Sequence, residues 1–543
     1  MELSRRELVA AFLGSSVALG CRSRSEGEPV PGAIVDRAVH VGHKLRGGPL
    51  PRAREAESVE VLIVGAGAAG LSAAWRLAGA GVRDVRVLEL EEDVGGTARS
   101  GRNSVSSFPW GAHYLPAPLE EGGPVPRLLA EMGAMTGADE GGAPSFAEEL
   151  LIREPEERLF YRGTWYEGLY LAAGASGEDL AELERFEARM RAFAGARDAR
   201  GRRAFAVPTA CSSDDAEWTA LDRLSMAAWM KAQGFRSWRL LWLVDYACRD
   251  DYGAAPEHVS AWAGIWYFAA RQDGAGRERA GYLSWPEGNG RLVRQLAASV
   301  DAQRIHRDVL VHGVSPRADG CRVDAMDART GAPRAYEARQ VIFAGPRFVA
   351  AHVVEPFRRA PPAWLAEFQY GPWVVANLTV SELPASRGFP LAWDNVFHDS
   401  RSLGYVVATH QQLRAHEEGP TVLTWYLPLA GGDVKRERER VLAHGYGDWE
   451  QLVMADLTSA HPELRETAKR LEVMRWGHAM VRPTPGFLFG GARAAAQQSL
   501  EGTLHFAHSD LGGMALFEEA NWFGVVAAER ALEGLGKRSA SWL

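Results

Sequence analysis

Three glycines at fixed spacing carry the first chemical signal in this chain. They are Gly65, Gly67 and Gly70, within Val61-Leu-Ile-Val-Gly-Ala-Gly-Ala-Ala-Gly70, with Ala66 and Ala69 between them. Such a turn lets backbone N–H groups come close to a diphosphate: Gly65 permits the tight turn, Gly67 the close approach and Gly70 the packing of helix on sheet. Glu89 lies near the expected distance of about 20 residues further on, where a carboxylate accepts from ribose hydroxyls.

The elements needed to hold these residues are legible. Val59–Val64 is a short β-branched apolar run, as a buried parallel strand requires. Leu71–Leu77 reads as a helix with small residues on the sheet side, and Val85–Glu89 as a second strand. A helix N-terminus here offers free N–H groups and partial positive charge to phosphates. This strand–turn–helix context makes a nucleotide site, although the fingerprint alone does not choose between FAD and NAD.

Downstream residues make that choice through a resemblance. Glu89-Leu-Glu-Glu-Asp-Val-Gly95-Gly96 resembles the second glycine pair of the flavin amine oxidase and phytoene desaturase superfamily, with Thr97 next. Trp110-Gly111-Ala112-His113-Tyr114 stands where those enzymes turn against the flavin ring. Trp285–Val293 resembles their Pro-x-Gly helix start, and Gln340–Pro346 their strand returning to the nucleotide domain. Ile305–Val311 resembles the adenine-holding strand, with Val309 as the contact. Arg475–Met480 and Pro483–Gly486 lead into Leu504–Asp510 and Gly512–Glu519. There Asp510 is implied beside the ribityl-phosphate chain, and Phe517 opens a helix aimed at the flavin.

The resemblance implies an α/β protein: a Rossmann-like FAD-binding domain with an interleaved α+β substrate domain. The FAD domain is expected from 57–120, 280–358 and 470–543, and the substrate domain from 121–279 and 359–469. Trp238–Tyr246 and Val259–Arg271 read as buried helices, with Arg249–Gly253 a polar turn between them. Trp373–Val380, Tyr405–Thr409 and Thr421–Leu427 read as strands of a half-buried sheet.

The implied activity is two-electron oxidation, desaturation or isomerisation of a small organic substrate at flavin N5, with the cofactor supplying the redox chemistry. An amine or an isoprenoid-like substrate is expected, and the residues do not specify the electron acceptor, oxygen or a quinone. Departures from the amine-oxidising pattern count against a simple transfer of activity. The strand Gly371–Leu378 has no lysine, Leu516 replaces an aromatic residue, and Thr97 stands where an arginine is common, with Arg99 close by. No cysteine lies near Trp476 for covalent attachment. His113 is the catalytic candidate, since a histidine beside the ring moves protons near neutrality. Glu518 and Glu519 are further candidates or helix caps, while His478 and Trp476 are candidate pocket walls. The competing reading is a non-catalytic or electron-transfer flavoprotein acting with a membrane partner.

Composition and termini set the context. The 543 residues, 46% hydrophobic and 24% charged, suffice for two domains with substantial cores. A net charge of −8 argues against a nucleic-acid partner. The four cysteines include no CxxC pair, so neither a zinc site nor a dithiol redox site is expected. Residues 1–21 read as a signal peptide: Ser4-Arg5-Arg6-Glu7-Leu8 before a short apolar run resembles a twin-arginine export signal. Ala18-Leu-Gly-Cys21 resembles a lipoprotein box, so a periplasmic or lipid-anchored location through Cys21 is expected, with 22–56 as a linker.

Overall fold

The computed structural model describes residues 28–36, 38–120, 122–138, 142–272, 281–411 and 419–543. The export signal and Cys21 lie outside the described residues. No described helix is long and apolar enough to cross a membrane.

Glu57–Val64 is the centre of the first sheet because its apolar residues are covered on both faces. Val61, Leu62 and Ile63 have no exposed surface. It pairs in parallel with Val85–Leu88 on one side and Pro333–Phe343 on the other. Ile305–His306 continues the sheet beyond Val85–Leu88, and Leu504–Phe506 joins Val341–Phe343, again in parallel. An antiparallel pair, Val309–Arg317 and Gly320–Asp327, extends from the first half of Pro333–Phe343. The expected α/β, Rossmann-like domain is therefore present. Its two glycine-bearing helices, Ala68–Gly79 and Phe517–Gly534, touch closely at Gly524, where a Cβ would sit 2.3 Å from the Ala69 carbonyl oxygen.

The second sheet has eight strands. Its order is Gly32–Ile34, Ala468–Val481, Tyr370–Val380, Thr421–Pro428, Gly404–Val407, Asp394–Phe397, Glu157–Tyr161 and Thr164–Glu167. One face packs on Trp449, Val453 and Leu457 of the helix Tyr446–Ala460. The other carries Val375, Tyr426 and Met474 against Phe108, Trp110 and Trp393. A helical layer, including Trp238–Tyr252 and Ala261–Ala269, lies beside it.

Four expectations need correction. Residues 28–36 and 38–56 are not a solvated linker, since Gly32–Ile34 pairs with Leu471–Val473. Ala468–Val481 belongs to the second sheet, so the last FAD-domain segment begins after Val481 and not at 470. The central strands of that sheet are covered on both faces: every residue of Thr421–Pro428 is buried. Arg249–Tyr252 is not a turn either. The helix continues to Tyr252 and ends at Gly253, whose φ of 58° gives a left-handed cap.

Candidate active site

A cavity of about 750 Å³ runs between the two domains. That volume is within the roughly 300–1,000 Å³ typical of small-molecule and cofactor sites. Gly65, Gly67, Ala69, Glu89, Gly95, Gly96, Thr97, Ala112, Val309, Asp510 and Phe517 all line it, as the sequence pattern requires. Ala66, Gly70, Gly111 and His113 do not, and each has a different task.

Gly70 is a packing glycine, because its Cβ would meet the Gly65 carbonyl oxygen at 1.9 Å. Ala66 donates its N–H to Glu89 Oε2 at 2.7 Å, while Glu91 N–H reaches Oε1 at 2.9 Å. Those bonds fix the Glu89 carboxylate at the end of its strand. Burial nonetheless pushes its pKa up, against the pull of the two N–H groups. Gly111 lies against Thr97, where a Cβ would be 2.2 Å from its carbonyl oxygen.

The remaining cofactor residues show how the fit arises. Gly67 is the N-cap of Ala68–Gly79, with no side chain capping the helix. Its N-terminal N–H groups thus face the cavity, as an anion site requires. Gly67 and Gly95 form a backbone bridge, which sets the two glycine turns side by side. The second uncapped helix, Phe517–Gly534, presents Leu516, Phe517 and Ala520 to the same cavity. A dinucleotide flavin fits this arrangement: an uncapped helix end for its diphosphate, a fixed carboxylate for its ribose and a long cleft for its body.

Asp510 accepts from the Arg347 N–H at 2.8 Å and the Tyr370 hydroxyl at 2.6 Å, and pairs with His508 at 3.0 Å. Burial pushes its carboxyl up, but His508, Tyr370 and Arg347 together outweigh that and hold it below the ordinary range. Val309 is at the expected strand, yet its N–H is committed to the Glu89 carbonyl at 2.8 Å. An adenine contact on this edge must therefore use other groups of Val309–Val311. Arg99 is held by Glu91 at 3.0 Å and lies over the Trp476 ring. Trp476 and His478 are cavity walls, as anticipated. Glu519 does not line the cavity and takes the N–H and hydroxyl of Thr209, while burial raises its pKa to about 7.

His113 differs most from expectation. Its ring stacks on Tyr426 at 4.8 Å and sits 5.4 Å from Trp393. Burial lowers its pKa to about 4, so it does not titrate near neutrality. We therefore expect His113→Phe to keep FAD and to change kcat only within a few-fold, the aromatic stack being its main contribution. A drop in kcat of about 100-fold or more with FAD retained would restore the proton-transfer role.

Behind His113 lies a group of residues that the sequence reading did not single out. Tyr114, Tyr246, Tyr267 and Tyr426 surround Asp250, with Asp251, Asp394 and Glu157 nearby. Asp251 is ion-paired to Arg271 at 2.6 Å, and Asp394 accepts from the Tyr246 hydroxyl at 3.2 Å. Among the described residues, Asp250 and Glu157 have no hydrogen-bonded or ion-paired partner for their carboxylates. Burial first, and then repulsion from neighbouring acids, Asp251 and Asp394 on Asp250 and Asp394 and Glu156 on Glu157, raises the pKa values of Asp250 and Glu157 well above normal. Asp394 is raised to about 7, chiefly by burial. The group adjoins the cofactor cavity, for Tyr426 donates its hydroxyl to the Gly111 carbonyl at 3.2 Å and Ala112 lines the cavity itself. The acids do not converge on one point, and the only described cluster with metal-like spacing is Asp198, Asp214 and Asp215, elsewhere in the molecule.

Comparison with known proteins agrees with this geometry. The model of the flavin-containing amine oxidoreductases matches residues 68–510. The chain belongs to that family. Like other members of the flavin-containing amine oxidoreductase family it is an FAD-dependent oxidoreductase. Among solved structures, a putrescine oxidase redesigned in cofactor binding is similar at 16% identity and TM-score 0.64, over 89% of this chain and 100% of that one. A cyclohexylamine oxidase from Brevibacterium oxydans IH-35A is similar at 19% identity and TM-score 0.61, over 88% and 99%. A CLA-producing fatty acid isomerase from P. acnes has 13% identity and TM-score 0.57, over 86% and 97%. No curated protein sequence matches the chain.

Proposed function

We propose that this protein oxidises a cationic organic amine, and that the substrate's positive charge is held by the acids around Asp250. The observation that carries this reading is the imbalance of charge behind His113. Asp250, Asp394 and Glu157 share the region with Arg271 and Arg249, but Arg271 is taken by Asp251 and Arg249 by Asp245. The Asp250, Asp394 and Glu157 carboxylates are half-buried and none has a counter-ion of its own, which disfavours their ionised form, and a bound cation offsets that cost. Tyrosine and tryptophan faces add cation–π attraction. A wholly apolar, isoprenoid-like substrate would leave the same carboxyls unsatisfied, so the amine is preferred.

FAD, when bound, supplies the two-electron acceptor. This chain's residues supply the placement. Ala112 and Gly111 separate cofactor from substrate, and Tyr426 is tied to that turn through the Gly111 carbonyl. His113, neutral and stacked on Tyr426, forms a wall of the substrate site.

The test is anaerobic mixing of the FAD-loaded protein with a panel of monoamines, diamines, polyamines and isoprenoids, following bleaching of the flavin. Cationic amines should reduce the flavin, with those carrying a second charge fastest. Reduction by isoprenoids alone, or by nothing across the panel, would reject the reading.

A further inference from the structure

We propose that residues 30–36 and 38–52 form a strap across the cofactor cavity, and that its Arg46 joins Arg438 in a cationic site for the FAD diphosphate, with His43 and His478 beside them. The first support is how the segment is tied down. At its start Val30 N–H reaches Glu450 Oε1 at 2.9 Å, and Tyr446 donates its hydroxyl to the Val30 carbonyl. Gly32–Ile34 then pairs with Leu471–Val473, and Asp36 takes a two-pronged contact from Arg475, 2.7 Å at the shorter prong. All of these partners belong to the second sheet and its helix. At its far end the partners change domain. Arg52 pairs with Asp324 at 3.3 Å, and Arg322 donates to the Ala53 carbonyl at 2.8 Å. Both Asp324 and Arg322 are on Gly320–Asp327, in the nucleotide-binding domain.

Between these anchors the segment bridges the two domains. Val39, Gly42, His43, Leu45 and Arg46 line the cavity there. A Cβ on Gly42 would lie 3.6 Å from Leu90, the residue after Glu89. The strap thus crosses beside the ribose-binding carboxylate.

Charge is the second support. Arg46 lies close enough to His43, His352, Arg438 and His478 to push the pKa of each downward, after the larger effect of burial. Arg438 donates to the Tyr370 carbonyl at 3.2 Å, which is not a counter-charge. The acids facing this group are Asp510 near His478 and Asp433 near Arg438, with Glu439, Glu89 and Glu91 on the same cavity, Glu91 being taken by Arg99. Among the described residues none of them forms an ion pair with Arg46, His43, Arg438 or His478. Cations gathered at a cavity without counter-ions are a site for an anion. The diphosphate is the anionic part of a dinucleotide flavin, and the uncapped helix end at Gly67 lies in the same cavity.

The strap also has a position in folding. Residues 32–34 pair with 471–473, so the strap closes only once the far end of the chain is in place.

The experiment measures FAD loss from the full-length loaded protein, as flavin fluorescence appearing on dilution at low and at raised salt. Arg46→Gln should release FAD about tenfold faster or more, the scale of one lost charge-assisted contact, and should weaken the salt dependence. Arg46→Lys should restore most of the retention. Gly32→Val should open the strap at its edge strand, because its Cβ would be 1.7 Å from the Leu471 carbonyl oxygen. It too should speed release. An Arg46→Gln protein with wild-type release and wild-type salt dependence would overturn the anion site. A folded Gly32→Val protein with wild-type release would overturn the strap. If Gly32→Val does not fold, Asp36→Ala, which removes the Arg475 anchor, takes its place.

Discussion

Gly67→Val should leave the protein folded and empty of flavin. Gly67 has φ −74° and ψ −177°, extended backbone open to any residue. A Cβ there meets only the Gly96 Cα, at an ordinary 3.9 Å. Nothing in the protein crowds a Cβ at this position, whereas a ligand lying against the Gly67 turn would meet the added side chain. Gly70 is the contrast, since its Cβ would strike the Gly65 carbonyl oxygen at 1.9 Å and disrupt the helix–sheet contact itself. The expected outcome for Gly67→Val is loss of visible flavin absorbance after purification and reconstitution. FAD affinity should fall by at least ~100-fold, ~3 kcal/mol. Thermal unfolding of the cofactor-free variant should match that of cofactor-free wild type within a few degrees. Stoichiometric flavin in the variant would mean that the diphosphate lies elsewhere. Gly70→Val is expected to fail at folding, which separates the two uses of glycine within one motif.

What was readable in the sequence follows from how local each feature is. The clamp at 65–70 is fixed by backbone demands within a few residues, and Glu89 by the length of one strand–helix–strand unit, so both were legible. The arm at 28–56 was not. Its short apolar stretch has no helical or strand periodicity of useful length, and it is ordered by Glu450, Leu471 and Arg475, more than 400 residues away. The boundary at 470 failed for a related reason. Ala468–Val481 is a single strand leading out of the second sheet into the cofactor cavity, where Trp476 and His478 are walls. Thr421–Leu427 reads as half-buried from its apolar alternation, in which Thr421 and Thr424 are polar members. Their hydroxyls are satisfied internally, Thr424 by Asn377 and Thr421 by Thr409, so polar side chains sit in a covered sheet. Asp250 and Asp251 gave the most misleading signal. Adjacent acids before a glycine suggest a solvated turn, but tertiary packing holds them on the last turn of Trp238–Tyr252, with Asp251 buried and Asp250 half-buried.

Asp250→Asn is expected to abolish tight binding of the amine while sparing the cofactor. Asp250 stands among Asp251, Asp394 and Glu157 on the acidic side, and Arg271 and Arg249 on the basic side, with the hydroxyls of Tyr114, Tyr246, Tyr267 and Tyr426 around it. It does not line the flavin cavity, so FAD content should not change. Removing one member of a buried charge pair costs about 2–4 kcal/mol, which corresponds to a rise in KM of about 30- to 700-fold. The pH profile supplies the decisive readout. In the empty protein burial, with repulsion from neighbouring acids, raises the pKa values of Asp250, Glu157 and Asp394, the last to about 7. A raised carboxyl keeps its proton below that value and loses it above. A cation binds the ionised form, so wild-type KM should fall as pH rises through about 7, until the amine loses its own charge. In Asp250→Asn one source of repulsion on Glu157 is gone, and its pKa drops. The residual pH dependence should therefore move to lower pH. Stability should change in the opposite sense to binding. Folding with raised carboxyl pKa values favours the protonated state, so the contribution to stability is fullest at low pH and is lost as pH rises through the raised values. The variant, with one such group removed, should hold its melting temperature better than wild type above neutral pH. An unchanged KM with an unchanged pH profile would remove Asp250 from substrate binding, and with it the charge argument for an amine.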